Sequence, residues 1–447
     1  MSNDFDINNF NDPEVWDLIC SGKTKGVFQL ESNLGRHWAK QLKPRNISEL
    51  AALISLIRPG CLKAYADGKS MTQHYVDRKA GKDVVSYPHE SLEDLLQETY
   101  GVLVYQEQSM KIAQKLAGFD LKDADSLRKA IGKKKAGLMA EVKKSFTEGA
   151  QKLNIVSKEI AEEIFSWIEK SNRYAFNKSH AVSYAINAYW SAYCKNYKKT
   201  EFYVSYLNHS ERKPDSQKEL KELIVDAKSV DIEVYPPRLG NLYTDFTAQG
   251  DKIFFGLRHI KNVGSSDCEK IMSFLQENDV SNYTWLDCLI NLIYCQKINK
   301  RATIALISVG AFNGKNNTEN RKKMLYEFNS WKNDKAATLT AREQKYISEN
   351  YSDHKTLYGC IEDLIANFKL TAKRREALVE INNSLKNPFY SLDDSISTIA
   401  QDEEKLFGCA LTCSKTDAVE NCISTVVCKD VANGMITGKA NMVISVS

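Results

Sequence analysis

Apolar residues recur at spacings of three and four over roughly residues 85–210, the period of helices with one buried face. Only eight prolines interrupt the 447-residue chain, so long helices are permitted. In the stretch after Ser157, the side chains of Ile160, Ile164, Trp167 and Ile168 fall on one face, and Ser157 stands at the N-cap. Asp123 predicts the opening of a second helix, with Gly132 as its stop. Asn177 or Ser179 predicts the cap of a third helix that runs to about Tyr197. Along that helix Ala181, Ala185, Ala188 and Ala192 form a small-residue stripe that lets another backbone approach. Tyr184, Tyr189, Trp190, Tyr193 and Tyr197 read as packing residues rather than stacking platforms for bases.

The pattern changes at Tyr235-Pro236-Pro237-Arg238-Leu239-Gly240. Helix-compatible sequence gives way there to short strand-like runs such as Lys252-Ile-Phe-Phe, which places a domain boundary near 206–236. Residues 255–330 read as short helices with tight glycine turns. Residues 315–385 are charged and weakly periodic, as in an exposed helix or a loose linker. From about 403 the chain reads as strand, in Ile423-Ser-Thr-Val-Val-Cys and Ala440-Asn-Met-Val-Ile-Ser-Val. About 45 residues are too few for an independent barrel. The expected fold class is mainly α, in segments 1–205, 206–330, 331–402 and 403–447, with a small C-terminal β remnant.

The formal charge of +4 is the sum of 61 basic and 57 acidic residues, so clustering matters more than the total. The start of the chain has neither the basic nor the apolar region of a secretory signal. No apolar run approaches the roughly 18 residues that span a bilayer. The 11 cysteines are scattered, without a CxxC pair. Reduced thiols in a cytoplasmic protein are therefore expected, rather than a disulfide scaffold or a zinc ribbon.

Three constellations carry possible chemistry. Arg128-Lys129-Ala-Ile-Gly132-Lys133-Lys134-Lys135 places five cations within eight residues at a predicted helix end. It reads either as a solvated C-terminus complementing the helix dipole, or as a clamp for a triphosphate or nucleic-acid backbone. Asn177-Lys178-Ser179-His180 sets Lys178 and His180 beside a helix N-terminus, where exposed N–H groups attract anions; a plain cap is the alternative. Ile260-Lys261-Asn262-Val263-Gly264 reads as a hairpin loop between short helices, whose N–H groups can grip a DNA phosphate. The chain has no GxxxxGK[ST], no GxGxxG after a strand, no G-x-S-x-G and no HExxH. Asp4 and Asp6 make a poor metal pair. Asp393-Asp394 reads as a turn or a cap.

The order of the motifs resembles the fingers and following domains of the C-family bacterial replicative polymerases, the alpha subunits of DNA polymerase III. The matching segments are Gly26-Val-Phe-Gln29-Leu-Glu31-Ser32, Leu56-Ile-Arg58-Pro59-Gly60 and His74-Tyr-Val-Asp-Arg78-Lys79. They continue with Tyr100-Gly-Val-Leu-Val-Tyr105-Gln106-Glu107-Gln108, Leu127–Lys134 and Phe176-Asn177-Lys178-Ser179-His180-Ala181. Gly256–Gly264 and Leu306-Ile-Ser-Val-Gly310-Ala-Phe312 follow. The ordered series extends over about 300 residues, and that makes it specific where a single motif would be weak.

The resemblance implies a helical fingers domain at 1–205 and a tandem helix–hairpin–helix domain at 206–330. A charged helical linker at 331–402 and a partial oligonucleotide-binding-like segment at 403–447 complete it. It implies that Arg128, Lys129, Lys133 and Lys134 contact the triphosphate of an incoming nucleotide, with Lys178 and His180 in the same lining. Gln29, Arg58, Gln106, Asn177 and Ser179 support that site, and Ile260–Gly264 bind duplex DNA. Primer–template DNA and dNTPs are the implied ligands. The resemblance also implies a sliding-clamp contact, although no clear clamp-binding peptide stands out.

Departures from the family pattern are as informative. The palm aspartates that hold two Mg²⁺ ions in the family would fall before Met1, and none is present. This chain alone is thus expected to bind no metal and to be inactive, with Mg²⁺ supplied through a palm-bearing partner chain. Lys129 stands where the family often has a second arginine, which keeps the charge but loses the bidentate fork. The expectation is a split polymerase; the alternative is a non-catalytic DNA- or clamp-binding module or a truncated fragment.

Overall fold

The computed structural model describes residues 6, 8–133, 136–172, 175–315, 317–331, 338–413 and 417. The chain divides into two compact units, Met1–Lys199 and Thr200–Ser447.

The first unit is built from α1 (Pro13–Ser21), α2 (Asn33–Leu42), α3 (Ile47–Leu56), α4 (Pro59–Lys63) and α5 (Met71–Lys79). The short hairpin β1 (Tyr65–Ala66) and β2 (Lys69–Ser70) stands between α4 and α5. Then follow α6 (Glu93–Leu96), α7 (Gln106–Ala117), α8 (Leu121–Lys133), α9 (Ala136–Leu153), α10 (Lys158–Asn172) and α11 (Lys178–Tyr197). Two cores form. In one, the alanine stripe of α11 is buried and lies along α3, against Leu50, Leu53 and Ile54. The stripe does what its spacing predicts: four small side chains bring two backbones together. The other core joins α7 to α10 through Ile112, Leu116, Leu127, Phe146, Phe165 and Ile168. Gly149 of α9 meets the carbonyl of Ala117, where any Cβ would collide.

The extended segment 102–105 runs between these cores. Val102 and Val104 face the first and Leu103 the second, as alternation in an extended chain requires; Tyr105 departs from it and also joins the first. Its end pairs with Phe176, whose N–H donates to Val104 O at 3.0 Å. That bridge fixes the entry to α11.

Capping follows the sequence reading in part. Ser157 Oγ accepts from Ile160 N at 3.3 Å, and Asn177 Oδ1 accepts from His180 N at 2.8 Å. Asp123 is not the start of α8, because Asp120 accepts its N–H at 2.7 Å and the helix begins at Leu121. Gly132 does not stop it either, since the helix continues to Lys133. A helix interior tolerates one glycine at a cost of about 1 kcal/mol.

The second unit begins with α12 (Lys199–His209) and α13 (Ser216–Lys228). A three-stranded sheet follows, from β3 (Glu233–Tyr235), β4 (Thr247–Gln249) and β5 (Lys252–Phe254). Central β5 pairs parallel with β3 and antiparallel with β4, so Ile253 lies opposite both Val234 and Ala248. Next come α14 (Ser265–Glu277), α15 (Trp285–Asp287), α16 (Lys300–Ser308) and α17 (Arg321–Trp331). The last described helices of the unit are α18 (Ala341–Asn350), α19 (Leu357–Asn367), α20 (Ala372–Lys386) and α21 (Ile396–Phe407).

One core runs through this unit, from Phe255 and Ile260 through Trp285, Leu306 and Phe328 to Ile347, Ile361, Leu378 and Phe407. The charged stretch after 330 therefore contributes three helices to the same core. Its weak periodicity comes from helices that bury only a narrow stripe. Residues 403–407, expected to start a strand region, form the last turn of α21, which ends at Gly408 in the left-handed conformation. The strand-like segments at 423–428 and 440–446 lie outside the described residues.

A buried polar node ties distant parts of this unit together. Arg321 donates to Ser308 O at 2.9 Å and to Glu403 Oε1 at 3.1 Å. Glu403 accepts in addition the N–H groups of Leu411 and Thr412, both at 2.8 Å. Arg238 donates to Val309 O and Gly310 O, and burial lowers its pKa to about 10, with Arg321 adding to the shift. Asp394 accepts from Arg321 N at 2.8 Å and Lys322 N at 3.0 Å. It is thus a cap, as the sequence suggests, but for α17 rather than for its own neighbours.

Candidate functional site

In the first unit the candidate residues fall into two groups. One gathers where α7 and α11 begin. Glu107 Oε2 accepts from Lys178 N at 2.9 Å, and Glu107 Oε1 accepts from Asn177 Nδ2 at 2.8 Å. Gln106 donates its N–H to Phe176 O at 3.0 Å and its side-chain amide to Ala175 O at 3.2 Å. Arg58, just beyond α3, stacks its guanidinium 3.6 Å from the centre of the Phe176 ring. Gln106 and Arg58 therefore brace the strand that leads into α11.

The N-terminal turn of α11 is less open than its sequence suggests. The N–H groups of Lys178 and His180 are already satisfied, by Glu107 and by Asn177. Asn177 is the cap; the Ser179 carbonyl instead accepts from Ser183 Oγ at 3.0 Å, and Ser179 itself is exposed. Lys178 Nζ reaches Glu98 Oε2 at 2.6 Å and lies 5.5 Å from the centre of the Tyr105 ring. His180 is exposed, its ring 4.9 Å from Tyr184 and 6.0 Å from Phe176. Tyr184 in turn meets Phe28 at 5.2 Å, edge to face. Gln29 is exposed beside Phe28 and takes a positive φ of 63°. Rings and cations thus line one continuous surface: Arg58, Phe176, His180, Tyr184 and Phe28. Tyr184, expected to be packing alone, belongs to that line.

The second group is on α8. Arg128 donates from Nε at 2.9 Å and Nη2 at 2.8 Å to Asp125 Oδ1. Lys129 Nζ lies 2.7 Å from Asp125 Oδ2. The two cations, Lys129 most, hold the Asp125 carboxyl below the usual range. Only the helical backbone of Lys133 is described, and Lys134 lies outside the described residues. The sequence reading missed Glu98, Glu107 and Asp125. The spacing of Asp125 from Arg128 and Lys129 could have revealed the last. Nothing local pairs Glu98 with Lys178, which are 80 residues apart.

In the second unit the hairpin loop separates its residues by role. Ile260 and Val263 are buried, 2% and 7% exposed, and anchor the loop in the core. Lys261, Asn262 and Gly264 are exposed. The Lys261 N–H is engaged by Leu406 O at 3.0 Å, so its side chain, not its amide, is free to face a phosphate. Asn262 takes a φ of 73° and turns the chain. Gly264 precedes α14, and no side chain caps that helix. Its first N–H groups and Lys261 together suit an anion. The buried side chains of Ile260 and Val263 hold the loop's shape.

Helical finger-like and helix–hairpin–helix regions are the class that this arrangement defines. Residues 2–154 match the bacterial DNA polymerase III alpha subunit finger domain, and residues 231–324 match the helix-hairpin-helix motif. The chain is 41% identical over 303 residues to the DNA polymerase III subunit alpha of Aquifex aeolicus, covering 68% of this chain and 25% of that protein. It is 37% identical over 314 residues to the subunit of Thermus aquaticus, covering 69% and 25%. The Helicobacter pylori (strain ATCC 700392 / 26695) subunit is 35% identical over 334 residues, covering 73% and 26%. The chain spans about a quarter of the length of the curated relatives it matches. It belongs to the family of bacterial DNA polymerase III alpha subunits, in their finger and helix–hairpin–helix regions.

Proposed function

We propose that this chain supplies the fingers and duplex-binding portion of a split C-family replicative DNA polymerase. In this reading Arg128, Lys129, Lys133, Lys134, Lys178 and His180 meet the triphosphate of the incoming dNTP. The exposed Lys261 and the start of α14 hold a duplex phosphate. A second chain brings the palm, and a sliding clamp is a further partner. The observation that carries the reading is that Arg128 and Lys129 stand on α8 inside residues 2–154, the region that matches the finger family.

Polymerases of this kind use Mg²⁺ to stabilise the attacking and leaving oxygens. Among the described residues, no three His, Cys, Asp or Glu side chains converge so as to hold a metal ion. This reading assigns Mg²⁺ to the partner palm. The described helices include none long and apolar enough to cross a membrane.

A second reading is a non-catalytic DNA- or clamp-binding module. It draws on the carboxylate pairing of Arg128 and Lys129, as on any ordinary helix surface, and the helix–hairpin–helix region needs neither of these cations. Primer extension with a palm-bearing partner separates the two. The split-polymerase reading expects Arg128→Ala with Lys133→Ala to abolish incorporation while duplex binding persists. Unchanged incorporation, or no incorporation with any palm partner, would count against it.

A further inference from the structure

Arg128, Lys129 and Lys178 of the proposed triphosphate lining are each held by a carboxylate. Asp125 spans Arg128 and Lys129 with its two oxygens, at 2.8 Å and 2.7 Å. Glu98 holds Lys178 at 2.6 Å from 80 residues away. The same protein pairs charges in a second way. Arg321 and Glu403 are 8% and 0% exposed, enclosed and bonded on several sides, as a structural pair should be. Lys178 and Glu98 are 38% and 46% exposed, and Arg128 and Asp125 are 40% and 33% exposed. A solute can reach these two pairs, and exposed pairs are weak enough to be exchanged.

We infer that Asp125 and Glu98 are internal counter-ions that occupy the phosphate-reading cations in the free protein and release them to an incoming triphosphate. The inference rests on the reading above, that these cations meet a triphosphate. Arg128 and Lys129 are adjacent and repel each other, and the Asp125 carboxylate offsets that repulsion while no ligand is bound. It accepts from both cations at once, as neighbouring phosphate oxygens would. A triphosphate brings more negative charge than one carboxylate and replaces it. The displaced carboxylate stays on its helix and repels the ligand. Asp125 and Glu98 therefore set the affinity from below, as positioning residues. Helix-surface pairing alone could account for Asp125, which is three and four residues from its partners. It cannot account for Glu98.

The test titrates the full-length chain with dATP in an isothermal calorimeter, with thermal melting as a check of folding. Asp125→Asn and Glu98→Gln should each tighten dATP binding by about three- to fivefold at low salt, and by less as salt rises. The gain from Asp125→Asn should shrink when Arg128 and Lys129 are alanine, a coupling that a purely structural role would not produce. If the unmodified chain binds dATP and the carboxylate variants bind equally or more weakly, the inference falls and the proposed function stands. If no variant binds dATP, both fall. Should Asp125→Asn fail to fold, Glu98→Gln, which lies outside α8, decides the same question.

Discussion

The guanidinium carbon of Arg58 lies over the ring of Phe176, 3.6 Å from its centre. This contact joins the end of α3 to the residue that leads into α11. Phe176 is held on its other sides by Val104 O and by the Gln106 N–H. The first turn of α11, with Lys178 and His180, is therefore positioned by packing as well as by its cap.

Arg58→Ala should loosen that turn. A cation–π contact of this kind contributes on the order of 0.5–2 kcal/mol. The expected result is weaker dNTP binding, with a small drop in melting temperature. Arg58→Lys should recover only part of the loss, because an ammonium does not stack as a guanidinium does. Calorimetric titration of the two variants with dATP checks this.

The Lys261 side chain is exposed while its amide stays with Leu406. Lys261→Ala should weaken duplex binding evenly across sequences. It should also reduce the slope of log affinity against log salt by about one unit. Fluorescence anisotropy with a labelled duplex at several salt concentrations measures both. An unchanged slope would place the duplex elsewhere.

Glu327 is buried and accepts a hydrogen bond from Trp285 Nε1 at 2.9 Å. Burial raises its carboxyl from 4.5 to about 7, with Glu319 adding to the rise and Lys323 and Trp285 opposing it. The folded state thus holds this proton more tightly than the unfolded chain. Its stabilising contribution is complete below about pH 4.5 and is lost as pH rises through about 7. The loss is on the order of 3 kcal/mol. Glu327→Gln should flatten this dependence and be more stable than the unmodified chain at pH 8, as read from urea unfolding at pH 5 and pH 8.

Glu403 is fully enclosed, and its carboxylate satisfies Arg321, Leu411 and Thr412 together. Glu403→Ala leaves a buried guanidinium without its counter-charge and should cost about 3–5 kcal/mol. Replacing Arg321 and Glu403 together by Met and Leu should cost much less, because no charge is then stranded. Denaturant midpoints of the single and double variants give the comparison.

Much of the helical framework was legible in the chain. The face formed by Ile160, Ile164, Trp167 and Ile168, the cap at Ser157 and the alanine stripe of α11 all follow from a period of 3.6 residues. The order of the motifs was enough to place the chain in its family. The start of α8 was less legible, because Asp120 and Asp123 are equally good caps in isolation. The charged region after 330 hid three packed helices, since a narrow buried stripe leaves a mostly polar sequence.

The sequence by itself determined which residues are cationic, which helices have an apolar face and which motifs follow one another. These depend on hydrogen bonds and side-chain neighbours within about one helical turn. Only the tertiary structure decided that Glu98 meets Lys178, that Asp394 caps α17, and that Leu406 takes the amide of the Lys261 hairpin. Those partners are far apart along the chain. Their meeting depends on how the helices pack, and local periodicity carries no record of that.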